Sequence, residues 1–272
     1  MFLTERESQQ WDSTILQRVL REAFENYEQN RELILRNGGI DKLPLLETAI
    51  VVGAGWSLAK NVEQLADTSA RIIVSDKVFK TVSCHKKPLM VCALNTTSTD
   101  VDKWLDVPDE MMEDVWLVAP VTAHPKTFAN WKGKIAFVNG EGLPEEFTTL
   151  VTKETGLPVS MRGENVGLFC LVTALSRGAK NVALLGMNYC FEREEDAWKA
   201  SGCSHSVRIM DYTGNIVYTL YDWLMSRKNI VELCESVPTA KVINCSEGGI
   251  ISSPGSLETL SFNIWRRYHD IP

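Results

Sequence analysis

Gly53, Ala54, Gly55, Trp56 and Ser57 follow directly on the apolar run Ala49-Ile50-Val51-Val52 and lead into a helical pattern. A buried strand that runs into Gly-x-Gly and on into a helix is an anion-binding arrangement. Residues without a side chain make the turn, and the unpaired N–H groups of the next helix point at whatever sits above it. A nucleotide phosphate is the expected occupant. Ser57 would offer its hydroxyl to a phosphate oxygen or serve as a plain N-cap, and the two roles are compatible. Three positions after Gly55 stands Leu58, so the full Gly-x-Gly-x-x-Gly dinucleotide fingerprint is not met and no dehydrogenase is expected.

Further candidates come from the other strand ends, because an open parallel sheet gathers its ligands where the strands finish. They are Asp76 after the strand 70–75, Asn95 and Thr96 after 88–94, Gly186 and Asn188 after 181–185, and Glu247 and Gly248 after 240–244. Asp76 suits a ribose hydroxyl and equally the cap of a helix beginning at 77. Glu247-Gly248-Gly249 would bring backbone close to a ligand, or form a structural turn. Of four histidines, His205 in Gly-Cys-Ser-His-Ser lies in a polar loop and His124 in Val-Thr-Ala-His-Pro is its rival for proton transfer, with His85 and His269 read as surface residues; the resemblance given below favours His205 as the general base. Asp100-Val-Asp102 spells a metal-type Asp-x-Asp, but Thr99 ahead of it reads as an N-cap with acids in the first turn. Lys60 and Arg162 are candidate partners for a diphosphate, or surface cations. The run Glu192 to Asp196 reads as a solvated loop over the pocket.

The elements that must hold these residues alternate strand and helix from residue 48 onward. That alternation predicts parallel βαβ units and an α/β, Rossmann-like, doubly wound and mainly parallel sheet. Further strands are expected at 115–119 and 134–138, with helices at 57–67, 77–83, 143–154, 164–177, 213–235 and 256–267. Ahead of the sheet, Trp11, Ile15, Val19, Leu20, Phe24 and Tyr27 recur at three- and four-residue steps in a highly charged stretch, the pattern of one or two amphipathic helices. Asn37-Gly38-Gly39 breaks it. The division expected is an N-terminal helical arm, 1–46, and a Rossmann-like main domain, 47–272, with the arm packing on the domain or on a second subunit to make a homo-oligomer.

Composition narrows the classes. A formal charge of −7 over 272 residues and a pI near 5.3 argue against a nucleic-acid partner. Seven cysteines without a C-x-x-C pair, most of them in apolar runs, read as buried free thiols of a reducing compartment. No apolar run approaches the ~18 residues of a membrane span, and no signal-peptide core is visible, so a cytoplasmic protein is expected.

Three stretches resemble one family. Gly53-Ala-Gly-Trp-Ser-Leu58 is similar to the Gly-x-Gly-Pro-Ser-Leu turn of the motility-accessory-factor and MptE-like group, which includes flagellin-glycosylating proteins and archaeal 6-hydroxymethyl-dihydropterin pyrophosphokinases. Met161 to Tyr189 resembles that group's helix, Gly-Ala-Lys turn, strand and Gly-x-Asp loop, and Asn244-Cys-Ser-Glu-Gly-Gly249 its Asn-x-Thr-Glu-Gly-Gly segment. The likeness spans about residues 48 to 250. Bacterial CMP-sialic-acid sialyltransferases show a more distant likeness, with a related turn and loop, a metal-free nucleotide-sugar reaction and a general base where His205 stands.

The departures from the family decide between its activities. The pyrophosphokinases carry Asp-Leu-Asp-Gly after the third strand, where this chain reads Ala93-Leu94-Asn95-Thr96, and the acid of the Gly-x-Asp loop is here Asn188. Amides suit hydrogen bonds to a sugar or phosphate better than they suit Mg²⁺. The resemblance therefore implies transfer of a sugar, with nonulosonic acids among the candidates, from a CMP- or other nucleotide-activated donor to a hydroxyl on a small molecule, glycan or protein. No cofactor is firmly implied. Mg²⁺ enters only under the alternative, an ATP-dependent pterin pyrophosphokinase, and a second alternative is a non-catalytic member that binds a nucleotide or a partner.

Overall fold

The computed structural model describes residues 5–95, 104–161, 163–202, 206–252 and 257–269. Eight strands form one sheet in the order β10-β7-β1-β2-β3-β4-β5-β6, and all its neighbours pair in parallel. They are β1 (Thr48–Val52), β2 (Arg71–Ser75), β3 (Met90–Cys92), β4 (Trp116–Pro120), β5 (Lys134–Gly140), β6 (Val159–Ser160), β7 (Asn181–Leu185) and β10 (Lys241–Asn244). A hairpin of β8 (Val207–Met210) and β9 (Ile216–Thr219) stands apart as a second, antiparallel sheet. The described helices, in chain order, are α1 (Glu5–Asn37), α2 (Phe79–Ser83), α3 (Asp109–Met112), α4 (Lys126–Ala129), α5 (Glu145–Thr155), α6 (Val166–Ser176), α7 (Glu194–Ser201), α8 (Tyr221–Ser236) and α9 (Phe262–His269).

Side chains alternate across the sheet, so each strand feeds two cores. Ile50, Val52, Ile72 and Val74 face a layer holding Tyr27 and Ile34 of α1 with Phe262 and Trp265 of α9. Ala49, Val51 and Ile73 face the other layer, made by α6 with Ile230 and Leu233 of α8. Helices thus cover both faces, as a doubly wound sheet requires. Among the described residues, no helix is long and apolar enough to cross a membrane.

Four elements differ from expectation. The helix expected at 57–67 is a pair of 3₁₀ segments, Trp56–Lys60 and Val62–Asp67, interrupted at Asn61, whose φ of −126° and ψ of −13° lie outside the helical range. The helix expected from 213 begins at Tyr221, because Asp211 folds the preceding residues into a turn. Its Oδ1 accepts from the amides of Thr213 and Asn215 and from the Thr213 hydroxyl, closing the β8–β9 hairpin. The helix expected at 256–267 is α9. The acidic run at 192–196 is a loop only at Glu192 and Arg193: Glu194, Glu195 and Asp196 open α7, where negative charge favours the helix dipole, and Asp196 pairs with Arg193 at 2.8 Å.

Candidate functional site

The chain passes from β1 outward through β2 to β6 and then returns to place β7 on the opposite side of β1. The switch point therefore lies between the loops that follow β1 and β7, the place where open α/β sheets bind ligands. These loops are Gly53–Ser57 and Gly186–Tyr189, and they are bonded together. Gly53 N–H donates to Leu185 O at 2.8 Å and Gly55 N–H to Gly186 O at 2.6 Å. Ser57, fully buried, gives both its amide (3.2 Å) and its hydroxyl (2.8 Å) to Asn188 Oδ1.

This geometry explains the glycines differently from the sequence. A Cβ on Gly53 would stand 2.7 Å from Gly186 O and from Met187 Sδ, and one on Gly55 would collide with Asn188 Oδ1 and Gly186 O. Gly186, with φ of +60°, needs glycine for its backbone as well. Small residues here let two loops meet. The bend is extended, with Gly55 at φ −73° and ψ 153°, so successive N–H groups alternate in direction. The amides of Gly53, Gly55 and Ser57 are spent inside the protein, and those of Ala54 and Trp56 remain without a partner among the described residues.

The loop after β10 completes the rim. Met187 N–H donates to Ser246 Oγ, Ile250 N–H to Asn188 O, and Lys60 Nζ to Glu247 O at 3.0 Å. Lys60 also lies over the Trp56 ring, 5.0 Å from its centroid. The Trp56 ring packs where a Cβ on Gly248 would stand, 2.6 Å from its edge, so Gly248 accommodates the indole. Glu247 and Tyr189 hold the left-handed conformation at φ +53° and +52° without being glycine.

On the other side of β1, the ends of β2, β3 and β4 form a second group. Asp76 is 2% exposed and accepts from Lys77 N–H at 2.8 Å and from Asn95 Nδ2 at 3.0 Å. Burial raises its carboxyl above the usual range, against the lowering effect of those hydrogen bonds. Asn95 O accepts from His124 N–H at 2.8 Å, so one chain of contacts runs from Asp76 to His124.

The structure brings Gly53, Ala54, Gly55, Trp56, Ser57, Gly186, Asn188, Glu247 and Gly248 to the β1–β7–β10 group, and Asp76 and Asn95 to its neighbour. His205, Thr96, Asp100, Asp102 and Arg162 lie outside the described residues. Sequence reading passed over Asn165, which caps α6 by accepting from Leu168 N–H, receives the Tyr189 hydroxyl at 2.7 Å and donates to Ser226. A polar residue ahead of an apolar helix was the available signal. Tyr189 meets Trp223 edge-on, and Phe191 stacks on Trp223 at 4.8 Å. Nearby, burial pushes the Cys190 thiol up to about 12, which leaves it inert as a nucleophile.

Several buried polar atoms at this edge have no partner among the described residues. Trp56 Nε1, Ser75 Oγ, Thr122 Oγ1, Thr127 Oγ1 and Asn188 Nδ2 all follow or end strands β1, β2, β4 and β7. Leaving such a group unpaired costs about 1–3 kcal/mol, so each is a place where a ligand's polar group would be stabilised. A cavity of about 530 Å³ opens at the opposite end of the sheet, lined by Leu45, Glu47, Thr48, Arg71 and Asn181. It lies at strand beginnings.

Known proteins resemble the chain at two levels. The family model described as 6-hydroxymethylpterin diphosphokinase MptE-like matches residues 19–194. Among solved structures, the "MAf glycosyltransferase from Magnetospirillum magneticum AMB-1" shares the fold with a TM-score of 0.67 at 17% identity, over 89% of this chain. The chain spans 38% of that protein's length. A comparison with curated proteins finds no match.

Proposed function

The chain belongs to the 6-hydroxymethylpterin diphosphokinase MptE-like family, and from that premise we propose a nucleotide-dependent transferase that moves a sugar from a CMP- or other nucleotide-activated donor to a hydroxyl acceptor. The supporting observation is the chemistry left over at the carboxyl edge. What remains unpartnered there is neutral donor capacity, chiefly the Asn188 amide N–H₂ and the main-chain N–H groups of Ala54 and Trp56. Such groups bind a phosphate or a sugar hydroxyl without adding charge. In this reading the donor phosphate sits over Ala54 to Trp56, the ribose over Asp76 and Asn95, and Asn188 and Glu247 border the sugar.

The transfer forms a bond from the acceptor oxygen to the sugar's anomeric carbon. The sugar–phosphate bond breaks, its electron pair leaves with the nucleotide phosphate, and the acceptor's proton passes to the base assigned to His205. Lys60, already between Glu247 and Trp56, is placed to offset charge on the departing phosphate.

The family's own description favours a second reading, ATP-dependent diphosphate transfer to a pterin alcohol. That chemistry would draw on Mg²⁺ to offset the charge of the phosphates. The described donors do not favour it: the positions after β3 and β7 hold Asn95 and Asn188, Asp76 is buried against an amide, and no group of three His, Cys, Asp or Glu side chains that could hold a metal ion is found among the described residues, outside which Asp100 and Asp102 lie. No step is routed through the metal. Calorimetry with CMP, UMP, GDP and ATP, with and without Mg²⁺, tests the choice. Metal-independent binding of a nucleoside monophosphate supports the sugar transferase, Mg²⁺-dependent ATP binding alone supports the kinase, and no binding to any of them refutes both. Binding that survives His205→Ala with no turnover in the parent protein identifies a non-catalytic member.

A further inference from the structure

Three successive carbonyls after β4 are held by one helix. Asn26 Nδ2 donates to Thr122 O at 3.0 Å, and Asn30 Nδ2 donates to Ala123 O at 2.7 Å and Val121 O at 3.3 Å. Both amides lie on the packing face of α1, 5% and 2% exposed, between Ala23, Tyr27 and Ile34. Their four-residue spacing keeps them on one side of the helix. Burying two amides in an apolar face is costly unless they are paired, and here the pairing fixes the main chain of a loop.

The next residue is His124. Its N–H is bound to Asn95 O, and its Nδ1 accepts from Lys126 N–H at 3.2 Å. A neutral imidazole whose Nδ1 accepts carries its proton on Nε2. That nitrogen has no partner among the described residues, and the unpartnered buried hydroxyls of Thr122 and Thr127 flank it along the chain. His124 thus offers a hydrogen-bond donor. Its Nδ1 lone pair is already used, so it does not fit the acceptor's base.

Strand spacing gives the donor a target. Neighbouring strands lie about 4.8 Å apart, so the end of β4 is roughly 14 Å from the end of β1. A nucleotide with its phosphate over β1 and its ribose over Asp76 at β2 therefore carries its base toward β3 and β4. We propose that His124 reads the nucleobase, donating Nε2–H to a ring nitrogen or carbonyl of cytosine in a CMP-type donor, and that Asn26 and Asn30 are positioning residues for it. The proposal rests on the nucleotide reading above and adds the side chain that sets base preference.

The experiment compares calorimetric binding of CMP, AMP, GMP and base-free ribose 5-phosphate to the full chain and its variants. The parent protein should favour CMP over ribose 5-phosphate. His124→Ala should lose about tenfold in CMP affinity and keep its ribose 5-phosphate affinity. His124→Gln retains an N–H at similar reach and should recover most of the difference. Asn30→Leu should also lower the ratio of CMP to ribose 5-phosphate affinity while the ribose 5-phosphate value holds, a result that general loosening of the fold would not give. Equal loss for both ligands in His124→Ala and His124→Gln, or no base preference in the parent protein, overturns the assignment and leaves the nucleotide reading standing. No binding of any of the four by the parent overturns both.

Discussion

Asn188 joins the two loops at the switch point through one oxygen, and its N–H₂ is buried with no partner. This arrangement makes the glycines of the bend accountable to packing, which gives an ordered prediction. Ser57→Ala removes one hydrogen bond while the Ser57 amide still serves Asn188, and should cost about 1 kcal/mol. Gly55→Ala drives a methyl into the Asn188 side chain and the Gly186 carbonyl and should cost about 1–3 kcal/mol, with a lowered urea midpoint to match. The reverse order would mean that Gly55 serves ligand approach alone. Asp76 gives a second test. Its carboxyl is raised above 3.8 chiefly by burial, so it binds its proton more tightly folded than unfolded. Its contribution to stability is therefore fully present below 3.8 and lost as pH rises through the raised value. Asp76→Asn should be more stable than the parent at pH 7.5, with the advantage vanishing toward pH 4, as read by denaturant unfolding at both pH values.

At the level of elements, α1 is bound to the sheet by more than its apolar face. The Tyr27 hydroxyl donates to Glu154 Oε2 at 2.7 Å, and Arg31 Nε reaches the same oxygen at 2.9 Å. The hydrogen bond from Tyr27, then that from Arg31, holds the Glu154 carboxyl below 4.5. A lowered acid stabilises the fold above its unfolded value and loses that effect as pH falls through the folded one. The thermal midpoint should therefore decline as pH drops below 4.5, and Tyr27→Phe should flatten the decline, measured by circular dichroism from pH 6 to pH 3. Much of this architecture was legible. The β-branched runs and their spacing gave the parallel sheet, and the three- and four-residue apolar steps gave the first helix. The hairpin was not, because both its strands leave apolar residues in solvent, Met210 62% and Ile216 41% exposed, and so lack the alternation that marks a half-buried strand. Nor was the 3₁₀ pair after β1, since apolar spacing does not distinguish a continuous helix from one broken at Asn61. The strand ends did foretell that the loops after β1, β7 and β10 adjoin; that Ser57 and Asn188 would spend their groups on each other depends on a contact across 131 residues.

For the whole molecule the question is which end of the sheet receives a ligand. The amino-terminal end offers a concavity of about 530 Å³, and the carboxyl end offers unpartnered donors and the switch point. Volume alone supplies no orientation, whereas buried unpaired groups recover about 1–3 kcal/mol each when a ligand satisfies them. The carboxyl end should therefore win. With a nucleotide at 100 times its dissociation constant, stability should rise by about 2.7 kcal/mol, a shift of several degrees in the thermal midpoint. Amide hydrogen exchange locates the effect. Protection should appear in residues 54–57, 121–124, 186–189 and 246–249, and residues 45–48 and 69–71 around the amino-end cavity should exchange as they do in the free protein. Protection confined to the second set would place the ligand in the cavity and detach the family's fold from the use made of it here.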